Sequence, residues 1–160
     1  MLPPLKQPLH IVLVEPQIPP NTGNVARLCA VTGSKLILIE PLGFSIEDRE
    51  LKRAGLDYWD KVFLHRYSSY TEYLASNPEV ARFLFSARAQ RSLYDARFGE
   101  GSHLVFGSET GGLPTSVLES GSGDLLTIPM LPHRRSLNLS TAVGIATYEA
   151  IRQLITTTAS

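Results

Sequence analysis

The feature that most constrains the fold is a repeated alternation: apolar runs of strand length, each followed by a segment with helix signals. Residues 9–14 (LHIVLV) and 35–39 (KLILI) are the clearest runs, and 82–86 (RFLFS), 103–106 (HLVF) and 125–128 (LLTI) continue the series. A strand that is apolar at consecutive positions is buried on both faces, which calls for helices above and below a mostly parallel sheet. The intervening segments supply them. Asn21 or Thr22 is a capping candidate for a helix reaching about Thr32, with Val25, Leu28, Cys29 and Thr32 on one face and Gly33 beyond its end. Ser45 opens a second helix, with Asp48 as a weak capping-box partner and Gly55 at its close. Residues 69–76 and 114–120 read as short helices, and 62–64 as a short strand. The longest helix runs over about 139–155. It has Val143, Ala146, Ala150, Ile151 and Leu154 on its core stripe, and Ala142, Ile145 and Thr147 on a flank suited to a partner. Nothing in the pattern separates two units, so the expectation is a single α/β domain over 1–160.

Charge narrows the partners. Fifteen basic residues balance fifteen acidic ones in the 160-residue chain, so general attraction to polyanions is not the main source of any nucleic-acid affinity, which must come from local patches. Three are visible: Arg82, Arg88, Arg91 and Arg97; His133, Arg134 and Arg135; and Arg49, Lys52 and Arg53. No apolar run reaches the roughly 18 residues of a membrane span, and neither a membrane nor DNA is expected as a partner. Cys29 is the only cysteine, which excludes an intrachain disulfide, and His10, His65, His103 and His133 are too scattered for a metal site. The first eight residues lack the apolar stretch of a secretion signal, so a cytoplasmic location is expected.

Three polar constellations interrupt this framework. Gly107-Ser108-Glu109-Thr110-Gly111-Gly112 follows a strand and precedes a helix, where open α/β sheets bind ligands. It lacks the lysine and hydroxyl residue of a phosphate-binding P-loop, and glutamate stands where a hydrolase elbow would carry serine. Its glycines either permit a tight turn or bring backbone close to a ligand. Asn21-Thr22-Gly23-Asn24-Val25-Ala26-Arg27 lies at a loop-to-helix junction suited to an anion or oxyanion, and equally to simple capping. Ile128-Pro129-Met130 leads through His133, Arg134 and Arg135 to Ser136, Asn138 and Ser140, which read as ligand contacts or as helix caps.

Taken together, N-x-G-N-x-x-R, F-G-x-E-x-x-G-L-P and I-P-M…R-S-L-N-L-S-x-A resemble, in order and spacing, the three motifs of the SPOUT (SpoU–TrmD) class of RNA methyltransferases. The likeness runs from about Ile11 to Leu154. Glu15-Pro16, Ile18-Pro19-Pro20 and the run Arg53-Ala54-Gly55-Leu56-Asp57-Tyr58 are similar to the subgroup that methylates the wobble ribose, cytidine or uridine 34, of tRNA. The resemblance implies a carboxyl-terminal deep trefoil knot, S-adenosylmethionine as methyl donor without a metal, a tRNA anticodon loop as substrate, and a homodimer whose second subunit completes each site. It implies cofactor contacts at Ser86, Gly107, Ile128 and Ser136, and functional polar roles for Asn21, Arg27, Glu109, Ser136 and Asn138. Arg27 is expected to hold the ribose-phosphate and the forming alkoxide, because a guanidinium does not act as a base. Glu109 and Asn21 are expected to orient Arg27 or touch the ribose. The chain departs from the subgroup at Gly111, where a basic residue is usual. Competing expectations are a ribosomal RNA 2'-O-methyltransferase of the same class and a non-catalytic RNA-binding protein of this fold.

Overall fold

The computed structural model describes residues 1–47, 49, 51, 53 and 59–158. Among these residues six strands form one sheet: β1 (His10–Val14), β2 (Lys35–Ile39), β3 (Phe63–Tyr67), β4 (Arg82–Phe85), β5 (His103–Phe106) and β6 (Asp124–Leu126). Their order is β3-β2-β1-β5-β4-β6 and every pairing between them is parallel. The helices include α1 (Pro19–Thr32), α2 (Trp59–Val62), α3 (Tyr70–Ser76), α4 (Thr115–Leu118) and α5 (Leu139–Thr158). Among the described residues, no helix is long and apolar enough to cross a membrane.

The period-2 geometry of β1 divides the core. Ile11 and Leu13 join Val25, Ala26 and Cys29 of α1 and Val143, Ala146 and Ala150 of α5, whereas Val12 and Val14 join Tyr73 of α3 and Val117 of α4. Helices therefore cover both faces, as the consecutive apolar positions require. From β1 the chain first builds outward through β2 and β3, then returns to place β5 on the other side of β1. The carboxyl ends of β1 and β5 thus flank the point where strand order reverses, which is where doubly wound sheets open a crevice.

Several local expectations are corrected. Helix α1 begins at Pro19, two residues before Asn21, and its N-cap Ile18 offers no side-chain bond. Gly33 does close it, with φ 75°. Strand β3 extends to Tyr67 instead of ending at Leu64; it is an edge strand with exposed central residues, so it carries no apolar run. Strand β6 ends at Leu126, after which Thr127 bridges to Ser92. Ser45 accepts the backbone N–H of Glu47 at 3.1 Å, and Arg49, Leu51 and Arg53 are helical. Asp48, Lys52 and the 54–58 part of the expected motif, Gly55 included, lie outside the described residues.

Candidate active site

A cavity of about 430 Å³ opens at the carboxyl ends of β4, β5 and β6. The turn after β5 forms one wall. Ser108 and Gly112 exchange backbone hydrogen bonds at 3.2 and 3.0 Å, and Ser108 Oγ accepts the Gly111 N–H at 3.0 Å. Two of the three glycines are demanded by this geometry. A Cβ on Gly107 would overlap the Gly112 carbonyl carbon and the Leu113 nitrogen, and Gly112 has φ +66°. Gly111 is under no such demand, since a Cβ there would stand 3.4 Å from Ser108 Oγ. Ser86, Gly107, Ile128 and Ser136, the four expected cofactor contacts, all line this cavity. The rings of Phe85 and Phe106 stack at 4.7 Å, 7° from parallel, to give it an apolar floor.

Glu109 leaves the same turn and reaches the start of α1. Its carboxylate accepts the Gln17 N–H at 2.9 Å and the Ile18 N–H at 2.5 Å. Pro19 and Pro20 have no N–H to offer at the head of the helix, so a glutamate some 90 residues away terminates α1 in place of a local cap. Asn21 Nδ2 also donates to Glu109, at 3.4 Å, and Asn21 Oδ1 accepts Asn138 Nδ2 at 3.1 Å. Asn138 Oδ1 in turn receives the N–H groups of Ser140 and Thr141 at 2.9 and 3.3 Å, capping α5. One hydrogen-bonded chain therefore links the glycine turn, α1 and α5.

The structure brings Asn21, Glu109 and Asn138 together and leaves Arg27 apart. Arg27 is exposed on α1 beside Pro20, Asn24 and Val31, and it does not line the cavity. The backbone donors of Gln17 and Ile18 were absent from the sequence reading because a side-chain motif does not register them. The proline pair that leaves the helix start short of donors was the available signal.

The basic patches divide. Arg88, Arg97, Arg134 and Arg135 are exposed, and Arg91 pairs with Asp124 at 3.4 Å. Arg82, expected on the surface, is buried at the opposite end of the sheet, where it donates from Nε to Tyr73 Oη at 3.2 Å and from Nη2 to the Asn77 carbonyl. The Tyr73 hydroxyl also shares a hydrogen bond with His103 Nδ1, 2.7 Å away. His10 stacks on His103 at 4.5 Å. Burial, followed by the charges of His10 and Arg82, holds the His103 imidazole down to about 3.

Comparison with known proteins places this geometry in context. Residues 8–148 match the SpoU rRNA Methylase family. The chain is 47% identical over 148 residues to a tRNA (cytidine(34)-2'-O)-methyltransferase of Saccharophagus degradans, covering 91% of this chain and 95% of that one. An Escherichia coli K12 protein of the same description is 46% identical over 147 residues, with 91% and 94% covered. Among solved structures, one described as "Structural insights into the 2-OH methylation of C/U34 on tRNA" superimposes with a TM-score of 0.88 at 50% identity, covering 94% of this chain and 98% of that one.

Proposed function

Because the chain belongs to the SpoU rRNA methylase family, we propose that it is a tRNA 2'-O-ribose methyltransferase acting on cytidine or uridine 34, with S-adenosylmethionine as methyl donor. The observation that carries this reading is the convergence of Ser86, Gly107, Ile128 and Ser136 on one cavity, next to the Asn21–Glu109–Asn138 chain. The pocket suits the cofactor: about 430 Å³ is within the range of small-molecule sites, and Phe85, Phe106, Leu113 and Ile128 give it apolar lining beside the polar Ser86, Ser108 and Ser136. Bound there, the sulfonium supplies an activated methyl group for in-line displacement by the ribose oxygen.

The chain's own residues handle position and charge. Glu109 has its carboxylate oxygens occupied by N–H donors from the 17–21 segment, so it acts on α1 and not on the ribose proton. Of the two expected roles, orienting Arg27 or touching the ribose, these contacts support the first. Asn21 and Asn138 hold the helix that carries Arg27, and Ser136 shapes the cofactor wall. Arg27 lies outside the cavity of its own chain and on the outward face of α1. We assign it to the site of a two-fold partner, where its planar fork holds the ribose-phosphate and stabilises the developing alkoxide. Ile145 and Tyr148 of α5 are exposed as well and are assigned to the same contact. A carboxyl-terminal trefoil knot is part of the same proposal. It is supported by the grip of the β4–β5 connection on the chain's last third: Thr127 exchanges backbone bonds with Arg91 and Leu93, and the Gln153 side chain bonds Ala96 and Phe98. A tRNA substrate puts the reaction in the cytoplasm.

The test is ribose-methylation mapping of tRNA incubated with the protein and S-adenosylmethionine, with Arg27→Ala as the diagnostic variant. The expected result is methylation at position 34, reduced about 10²–10³-fold in single-turnover rate by Arg27→Ala with cofactor affinity nearly unchanged. Arg27→Lys recovers little, because it keeps the charge and loses the fork. Methylation of ribosomal RNA instead, or a wild-type rate in Arg27→Ala, overturns the reading or the assignment respectively.

A further inference from the structure

Two charged side chains line the cavity among the described residues, Glu109 and Arg88. They differ in what they have left to offer. Glu109 is satisfied by the 17–21 segment. Arg88 is exposed; its backbone N–H donates to Ser86 Oγ at 3.1 Å, but its guanidinium has no hydrogen-bond or ion-pair partner among the described residues. A cation kept at a cavity mouth without an internal partner is available to an external anion. Position 111 belongs to the same rim and is empty by choice of residue, not by necessity. Gly107 and Gly112 are fixed by close approach and positive φ, whereas Gly111 has neither constraint and its Cβ would make an ordinary contact. The rim therefore accepts a side chain at 111 as far as its Cβ and, among the described residues, carries one basic side chain.

We propose that Arg88 anchors an RNA phosphate next to the target nucleotide, and that the glycine at 111 makes this chain depend on Arg88 for that contact. The inference rests on the tRNA methyltransferase reading above and names a substrate-binding residue within it. A phosphate is a better match than the amino-acid end of the cofactor. That end is a zwitterion, to which an exposed guanidinium in high dielectric adds little, whereas an RNA strand releases counterions at each cationic contact.

The experiment measures affinity for a tRNA transcript with cytidine 34 across a salt series, and affinity for S-adenosylmethionine by calorimetry. The proteins are wild type, Arg88→Ala, Gly111→Arg and the double variant. Arg88→Ala is expected to weaken tRNA binding about threefold to tenfold and to flatten the log–log salt slope by about 0.7–0.9, the value of one phosphate contact. Its cofactor affinity stays within about twofold and its thermal unfolding is unchanged. Gly111→Arg in the Arg88→Ala background restores both the affinity and the slope. An unaltered tRNA affinity and slope in Arg88→Ala overturns the proposal. So does a loss of cofactor affinity in its place, which would make the cofactor carboxylate the ligand of Arg88. A wild-type protein that binds tRNA with the expected slopes yet leaves position 34 unmethylated counts against the functional reading and not against Arg88.

Discussion

His103 shows how one buried side chain ties stability to pH. An unfolded histidine takes up a proton near 6.5, while in the fold burial holds His103 to about 3. Between those values the unfolded chain carries the additional proton, so acidification favours unfolding. Stability is fully present above about 6.5 and falls as pH drops, by up to about 1.4 kcal/mol per pH unit for one such group. The groups facing it are Tyr73, Arg82 and His10, and His10 is itself lowered by burial and Lys35. Urea denaturation from pH 7 to pH 4 should show this slope. His103→Gln should start lower at pH 7, having lost the Tyr73 bond, and decline less steeply by about one proton. A variant as steep as wild type would assign the slope elsewhere. None of this was legible beforehand: the sequence shows four scattered histidines, and only strand register puts His10 opposite His103. Cys29 was more readable, since an isolated cysteine on a helix's apolar face belongs in a core. Burial pushes its thiol up to about 12, which makes it inert.

Helix α1 marks the limit of local signals. Asn21 and Thr22 are residue types that cap helices, and their position ahead of an apolar helical face predicts that role. The fold starts the helix at Pro19, spends Asn21 on Glu109 and Asn138, and buries Thr22. The true cap is a tertiary contact, which no window of neighbouring residues contains. Its loss should be measurable. Glu109→Ala leaves the Gln17 and Ile18 donors without their acceptor and is expected to lower unfolding stability by about 1–3 kcal/mol. Glu109→Gln, whose amide oxygen still accepts, should lose less. Chemical denaturation of both variants checks this, and equal stability of Glu109→Ala and wild type would refute the cap. Strands were easier to read than helix ends, because β1, β2 and β5 bury both faces and announce it in composition. The edge strand β3 was cut short because its exposed residues carry no such mark.

At the scale of the molecule, alternation predicted the parallel sheet and its helical layers, and the family resemblance implied that the segments around Ser86, Gly107, Ile128 and Ser136 meet, as they do at one cavity. What the sequence did not convey is which flank of α5 faces outward. Thr147, expected at a partner surface, is fully buried, whereas Ile145 and Tyr148 are 37% and 44% exposed. The outward faces of α1 and α5 hold Arg27, Val31, Ile145 and Tyr148, and light scattering at micromolar concentration should return a dimer mass. A fully active monomer would remove Arg27 from a shared site. The tether at Glu109 has a consequence for such a dimer. The turn that walls the cavity and the helix proposed to meet a second subunit are joined through one carboxylate, so a shift of that turn on filling the cavity would be felt at the subunit contact. Linkage is reciprocal: whatever factor the cofactor contributes to association, association must return to cofactor affinity. Dilution would then weaken cofactor binding by the same ratio in which saturation with cofactor resists dilution, giving the enzyme a response to its own concentration that no single residue encodes.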